Sequence, residues 1–232
     1  VLMLNSPSNP TGAIFKKDEL CDIAEFAVKN HLIVISDEIY EKLIYDGEKH
    51  ISIASLGEDI YKQTVLINGF SKSCAMTGWR VGYSAAIKQF SDIFKKIQAN
   101  TTTHTSSISQ YAAQAAFDLP DSYFKKNAET FENRRDMIIN WLDKRNDLTY
   151  IRPSGAFYFF INVSKVFGKS IKGEIIRNDV DFYNLLLKHA LVAVVPGSAF
   201  GDSDYIRISY SYSMESLEKA LERIEGFLND CK

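Results

Sequence analysis

Lys72 stands in the stretch GFSKSCAMTGWRVG (residues 69–82), close behind the apolar run TVLI (64–67). A surface lysine needs no small-residue turn around it. A lysine that condenses with an aldehyde needs a fixed side chain, a neutral amine at some stage and room for a flat ring. Gly69, Ser71, Ser73 and Ala75 leave that room, and a preceding strand would fix the position. Arg80 follows in a turn that leads back into an apolar run. A guanidinium stays charged and offers several donors, so it suits a phosphate dianion. A lysine for an aldehyde and an arginine for a phosphate describe a holder for pyridoxal phosphate. The same two residues also read as a pair of solvated surface cations, the ordinary state of lysine.

A second stretch, SDEIYEKL (36–43), places Asp37 at the end of a run too apolar to be an exposed edge. A carboxylate there calls for a positive partner. A protonated pyridine nitrogen is one, and an aspartate facing it keeps such a ring electron-poor. Tyr40 is within reach of the ring's phenolic oxygen. The competing reading makes Asp37 a helix N-cap with Glu38 in the first turn. In a third stretch, SPSNPTG (6–12), Asn9 could donate to the same oxygen, or the segment could be an ordinary turn. Its Asn9–Pro10 bond is of the one type that adopts cis cheaply.

The elements that must carry these residues are legible from periodicity. Val1–Leu4, His31–Ile35, Thr64–Ile67 and Val81–Ala86 read as strands, and Lys17–Asn30 as a helix with Leu20, Ile23, Ala24 and Ala27 on one side. Strands alternating with helices imply an α/β layered, mostly parallel sheet. Ligands gather at the carboxyl ends of such strands, and Asn9, Asp37 and Lys72 each follow a strand. Beyond Pro120 the pattern changes. A long amphipathic helix (Asp121–Arg145) leads to strands at Ala156–Val163, Leu191–Val195 and Tyr205–Tyr210, with a helix at Asp181–His189. A terminal helix carries Leu217, Leu221, Ile224 and Leu228. The expected organisation is a large-domain part at 1–119 and a small α+β domain at 120–232. TTTHTSS (101–107) reads as a loop and helix cap.

Composition narrows the class. The 232 residues are 46% hydrophobic and 24% charged, with a net charge of −2 and no clustered basic patch. That makes a globular protein without an evident nucleic-acid surface. Three scattered cysteines and four scattered histidines supply neither a disulfide framework nor metal-ligand spacing, which favours a reducing, cytoplasmic setting. No apolar run is long enough to span a bilayer.

Together, GFSKSCAMTGWRVG, SPSNPTG and SDEIYEKLIYDG resemble the flanking and lysine-site motifs of class I/II aminotransferases, the fold-type I pyridoxal-phosphate enzymes. PSGAFYFF (153–160), PGSAFG (196–201) and YIRISYS (205–211) resemble that family's small-domain motifs. The resemblance runs along the whole chain in the right order. It implies that Lys72 carries pyridoxal 5'-phosphate covalently and then acts as the base. It implies that Asp37 pairs with the ring nitrogen, Tyr40 and Asn9 with the phenolic oxygen, and Arg80 and Ser71 with the phosphate. Arg207 would grip the substrate α-carboxylate, unless it is simply a salt-bridged strand arginine, and Gly155 would leave space for the substrate. Gly69 stands where some relatives place a serine on the phosphate, so one donor is expected to be missing. Cys74 is expected to pack rather than react.

The sequence starts without methionine, inside an apparent strand, so it is expected to be the later part of a longer protein. The earlier part would supply a glycine loop for the phosphate and the aromatic residue on the ring, and residues 1–232 alone would be poorly active. AMTGWRVG with VPGSAFG resembles the bacterial aspartate branch, including enzymes that also accept prephenate or aromatic partners. Aspartate and 2-oxoglutarate are therefore the expected substrates, with alanine, aromatic and kynurenine aminotransferases left open, and a homodimer is the expected full-length assembly. Two rivals stay open: a carbon–sulfur lyase of the same fold, and the aminotransferase-like ligand domain of a transcription regulator.

Overall fold

The computed structural model describes all residues from Val1 to Lys232. The chain divides into two compact units, Val1–Ser8 with Ile14–Ala128, and Asn9–Ala13 with Glu129–Lys232.

The first unit is built on a four-stranded sheet. Its strands are β1 (Leu2–Asn5), β2 (Val34–Asp37), β3 (Thr64–Gly69) and β4 (Gly82–Ala85), in that spatial order. β1–β2 and β2–β3 pair in parallel, so the sheet is mainly parallel as expected. β4 departs from the parallel expectation. The chain turns back through Phe70–Val81 without a crossover helix, and only an antiparallel return is open to it. Helix α1 (Lys17–Lys29) buries Leu20, Ala24 and Ala27 against Leu4, Val34, Ile53 and Ile60. Asp18 and Glu19 occupy its first turn, where carboxylates suit the helix dipole, and Glu19 accepts the Lys16 N–H at 2.7 Å. A short α2 (Glu58–Gln63) leads into β3.

Two helices lie where the sequence reading places none: α3 (Lys88–Thr101) and α4 (Ser107–Ala116). Phe90, Ile93, Phe94 and Ile97 give α3 its helical spacing, yet none of its residues is buried. TTTHTSS bridges these helices as a loop, but Ser106, the N-cap of α4, makes no side-chain cap bond. The helix α5 (Asp121–Leu142) starts directly after Pro120. The division between the units falls inside α5, whereas Pro120 marks the sequence boundary at its start.

The second unit holds a sheet ordered β5 (Thr149–Tyr150), β6 (Tyr158–Asn162), β10 (Tyr205–Ser209) and β9 (Val195–Pro196), antiparallel throughout. A two-stranded ribbon of β7 (Ser170–Ile171) and β8 (Glu174–Ile175) stands apart from it. Helix α6 (Asp179–Ala190) is capped by Asn178, whose Oδ1 accepts the Asp181 N–H at 2.9 Å. Leu191 ends α6 in the left-handed region, φ 56°, and of the expected strand at Leu191–Val195 only Val195 lies in β9. Helix α7 (Met214–Asp230) buries Leu217, Leu221, Ile224, Phe227 and Leu228, the predicted stripe plus one aromatic. Its N-cap Ser213 accepts the Ser216 N–H at 3.2 Å.

Candidate active site

In the first unit, three of the expected site residues lie at the same end of the sheet's strands. Asp37 is the last residue of β2 and pairs with Asn5 on β1 and Ile67 on β3. Lys72 lies just past the parallel end of β3. Arg80 lies just before β4, whose Gly82 pairs with Gly69. A parallel pair followed by an antiparallel return thus delivers a carboxylate, an amine and a guanidinium to the same end of the strands, where ligands of such sheets collect.

The lysine turn is held by backbone bonds. Cys74 N–H and Met76 N–H both donate to Phe70 O, at 3.2 and 3.3 Å. Phe70 itself is buried with Ala113 and Ala116, and Cys74, Met76 and Val81 pack on that cluster. Rings of Phe70, Tyr83 and Phe117 meet at 5.0–5.8 Å. Both ends of the lysine segment are therefore anchored in apolar packing, and Cys74 belongs to that packing. The Lys72 ammonium sits 5.9 Å from the centre of the buried Tyr40 ring. Arg80 takes a left-handed backbone, φ 51°, and its Nη1 donates to Thr77 O at 2.9 Å. The turn before it is tied to α4 through Ser109 Oγ, which donates to Trp79 O at 2.8 Å.

Gly69 has a packing reason to be glycine. A Cβ there would stand 3.0 Å from Gly82 Cα, and one on Gly82 would stand 2.9 Å from Asn68 O. The two strands approach too closely for a serine to enter without a shift. Asp37 is half-buried and begins no helix; its Oδ1 accepts the Ile39 N–H at 3.2 Å. Its backbone O takes the Ser6 N–H at 3.2 Å, tying the turn to the chain leaving β1.

Next to Asp37 lies a residue the sequence reading left in its shadow. Glu38 is 1% exposed and has three side-chain partners: Ser36 Oγ at 2.9 Å, Ser52 Oγ at 2.7 Å and His50 Nε2 at 2.6 Å. Burial pushes its carboxyl up, but the bonds from His50, Ser52 and Ser36, with the His50 charge, carry it below its ordinary 4.5. A carboxyl lowered in the fold adds stability above its unfolded value and loses it as the pH falls through the folded one. Between about pH 5 and 3 the urea midpoint of the parent should therefore fall more steeply than that of Glu38→Gln. Parallel curves would contradict this.

In the second unit, Arg207 on β10 donates from Nη1 to Asn9 Oδ1 at 2.8 Å. A guanidinium can only donate, so this bond fixes the Asn9 amide with its oxygen towards Arg207. The guanidinium carbon lies 4.5 Å from the Tyr158 ring centre and 4.8 Å from that of Phe200. Its Nε is buried and has no hydrogen-bond partner. The side-chain bond of Arg207 goes to the Asn9 amide rather than to a carboxylate.

The loop that bears Asn9 is stapled to the PSGA segment. Gly12 O accepts the N–H groups of Ser154 and Gly155, both at 2.9 Å. Gly12 has φ +69°, and a Cβ on it would meet Pro153 Cβ at 2.5 Å. The fully buried Arg135 completes the arrangement by donating from Nη1 to Pro153 O at 3.1 Å. Gly12→Ala adds left-handed strain to a clash and should cost roughly 2–5 kcal/mol. A urea midpoint within error of the parent would contradict this. Both Asn9–Pro10 and Ser6–Pro7 are cis.

Residues 1–224 match the family model for aminotransferase class I and II. The chain belongs to this family. A probable aspartate/prephenate aminotransferase of Rickettsia conorii is 45% identical over 226 residues, covering 97% of this chain and 56% of that protein. The crystal structure of the aspartate aminotransferase from Rhizobium meliloti matches with a TM-score of 0.94 at 39% identity, covering 99% of this chain and 58% of that one. That of the aromatic aminotransferase from Pyrococcus horikoshii matches with a TM-score of 0.89 at 41% identity, covering 98% and 59%. The chain thus spans 56–59% of the length of these class I and II proteins. The mainly parallel sheet of the first unit is that of the family's fold type I.

Pyridoxal phosphate is the cofactor of this family, and the donor set fits it. One amine, one guanidinium, the hydroxyls of Ser71 and Ser73, a carboxylate and a phenol match an aldehyde, a phosphate, a ring nitrogen and a phenolic oxygen in kind. No helix of the structure is long and apolar enough to cross a membrane.

Proposed function

We propose that the protein containing this chain transfers an amino group between an amino acid, aspartate, and a 2-oxo acid, 2-oxoglutarate, with pyridoxal 5'-phosphate. The observation that carries the reading is Lys72, set over the Tyr40 ring at the end of the strands that also bears Asp37 and Arg80. When bound, the cofactor supplies an electron sink that makes the α-proton of an attached amino acid removable. Lys72 would hold the cofactor and, once released, would serve as the base at the substrate α-carbon. Asp37 would keep the ring nitrogen protonated, since a nearby carboxylate favours the charged form. Tyr40 and Asn9 would donate to the phenolic oxygen, and Arg80 with Ser71 would hold the phosphate. Arg207 binds the substrate α-carboxylate through its fork, and Gly155 leaves space for the substrate.

The relatives named above are aminotransferases, which favours transfer over the lyase and regulator readings. They include aspartate, prephenate and aromatic names, so the choice of aspartate rests on AMTGWRVG and VPGSAFG. We further propose a homodimer, and a cytoplasmic setting in keeping with the free thiols of Cys21, Cys74 and Cys231. The test is the whole protein supplied with aspartate, 2-oxoglutarate and pyridoxal phosphate. Oxaloacetate and glutamate should appear in equal amounts. Pyruvate and ammonia from cystathionine, with no amino transfer, would overturn the proposal.

A further inference from the structure

Glu38 is the most enclosed carboxylate of the first unit, and the proposed reaction gives it no task. Its main chain starts the turn that follows β2. Glu38 N–H donates to Ile67 O, and its own O accepts the Glu41 N–H, both at 2.9 Å. Asp37 immediately precedes that turn and Tyr40 lies inside it. The side chain ties the turn to Ser52 and His50, which belong to the segment entering the short 3-10 turn Ile53–Ser55. The other titratable groups facing it are Tyr83 and Glu41, one of whose carboxylate oxygens lies within 4.8 Å of a Glu38 carboxylate oxygen and a His50 ring nitrogen.

A buried carboxylate is costly unless paired, and an apolar residue of similar size would pack without that cost. The best-attested use of such a group is to select one local arrangement from several. Here all the anchors of Glu38 act on the few residues that separate Asp37 from Tyr40.

We propose that Glu38, fixed by His50, Ser52 and Ser36, is a positioning residue for Asp37 and Tyr40. It sets the turn from which Asp37 meets the ring nitrogen and Tyr40 the phenolic oxygen. The inference rests on the roles assigned to Asp37 and Tyr40 above.

The test compares the parent whole protein with Glu38→Gln. Glutamine keeps the shape and can still accept from both serines, but it removes the charge facing His50. Three quantities are read: the Kd for pyridoxal 5'-phosphate by equilibrium dialysis, the pH midpoint of the bound cofactor's visible absorption, and the Tm. Kd should rise about tenfold, the value of one charged hydrogen bond weakened at a distance. The absorption midpoint should move, and kcat should fall while KM for aspartate stays near the parent value. Ser52→Ala removes a single bond and should move Kd about threefold; it is the arm to read if Glu38→Gln does not fold. A purely structural role would lower Tm and leave Kd and the midpoint unchanged, which would overturn the inference while the proposed function stands. A parent protein that binds no pyridoxal phosphate would overturn both.

Discussion

Lys72→Arg in the whole protein is expected to abolish amino transfer, with a fall of at least roughly a hundred- to ten-thousand-fold in kcat. Arginine keeps the charge but neither condenses with an aldehyde nor gives up its proton near neutral pH. Structural damage would not account for such a loss. The contacts weakened include that of the ammonium 5.9 Å from the Tyr40 ring, worth about 0.5–2 kcal/mol. The turn itself is held by Phe70 and by backbone bonds that the substitution leaves alone. Glutamate formation from aspartate and 2-oxoglutarate, with circular dichroism as the folding control, checks this. Residual kcat above a tenth of the parent value would contradict it.

The second large effect belongs to Arg207→Lys. The native guanidinium carbon lies 4.5 Å from the Tyr158 ring centre and 4.8 Å from that of Phe200, and its Nη1 donates to Asn9. A substrate carboxylate would accept charged hydrogen bonds from the guanidinium fork, each worth about 1.5–3 kcal/mol. Lysine keeps the charge but loses the fork and the bond to Asn9 Oδ1. The expected loss is about 2–4 kcal/mol, or roughly 30- to 1,000-fold in kcat/KM. Because the carboxylate is held in ground state and transition state alike, most of it should appear as a higher KM. Steady-state kinetics with varied aspartate measures this, and an unchanged KM would contradict it.

The residues most visible in the sequence were those placed by strand ends. Asp37, Lys72 and Arg80 follow or precede short apolar runs, and parallel pairing of β2 with β3 makes the ends of such runs coincide. The mainly parallel sheet followed from the same alternation. What escaped depends on contacts far apart along the chain. The Asn9–Arg207 bond joins residues 198 positions apart, and no local pattern encodes it. Glu38 looked like an accessory of Asp37 because its partners His50 and Ser52 sit in a stretch without periodicity. Arg135 stands in the sequence as one charged residue of a long helix, and its bond to Pro153 O joins positions 18 apart. Helix α3 is a different case. Phe90, Ile93, Phe94 and Ile97 carry helical spacing, but the stripe they form is not buried in the fold.

The account stands on the amine at position 72 carrying the cofactor. Borohydride reduction of the whole protein with pyridoxal phosphate, followed by peptide mapping, tests this directly. The account predicts one reduced, cofactor-bearing lysine, found in the peptide around Lys72. Label on another lysine, or none at saturating pyridoxal phosphate, would contradict it.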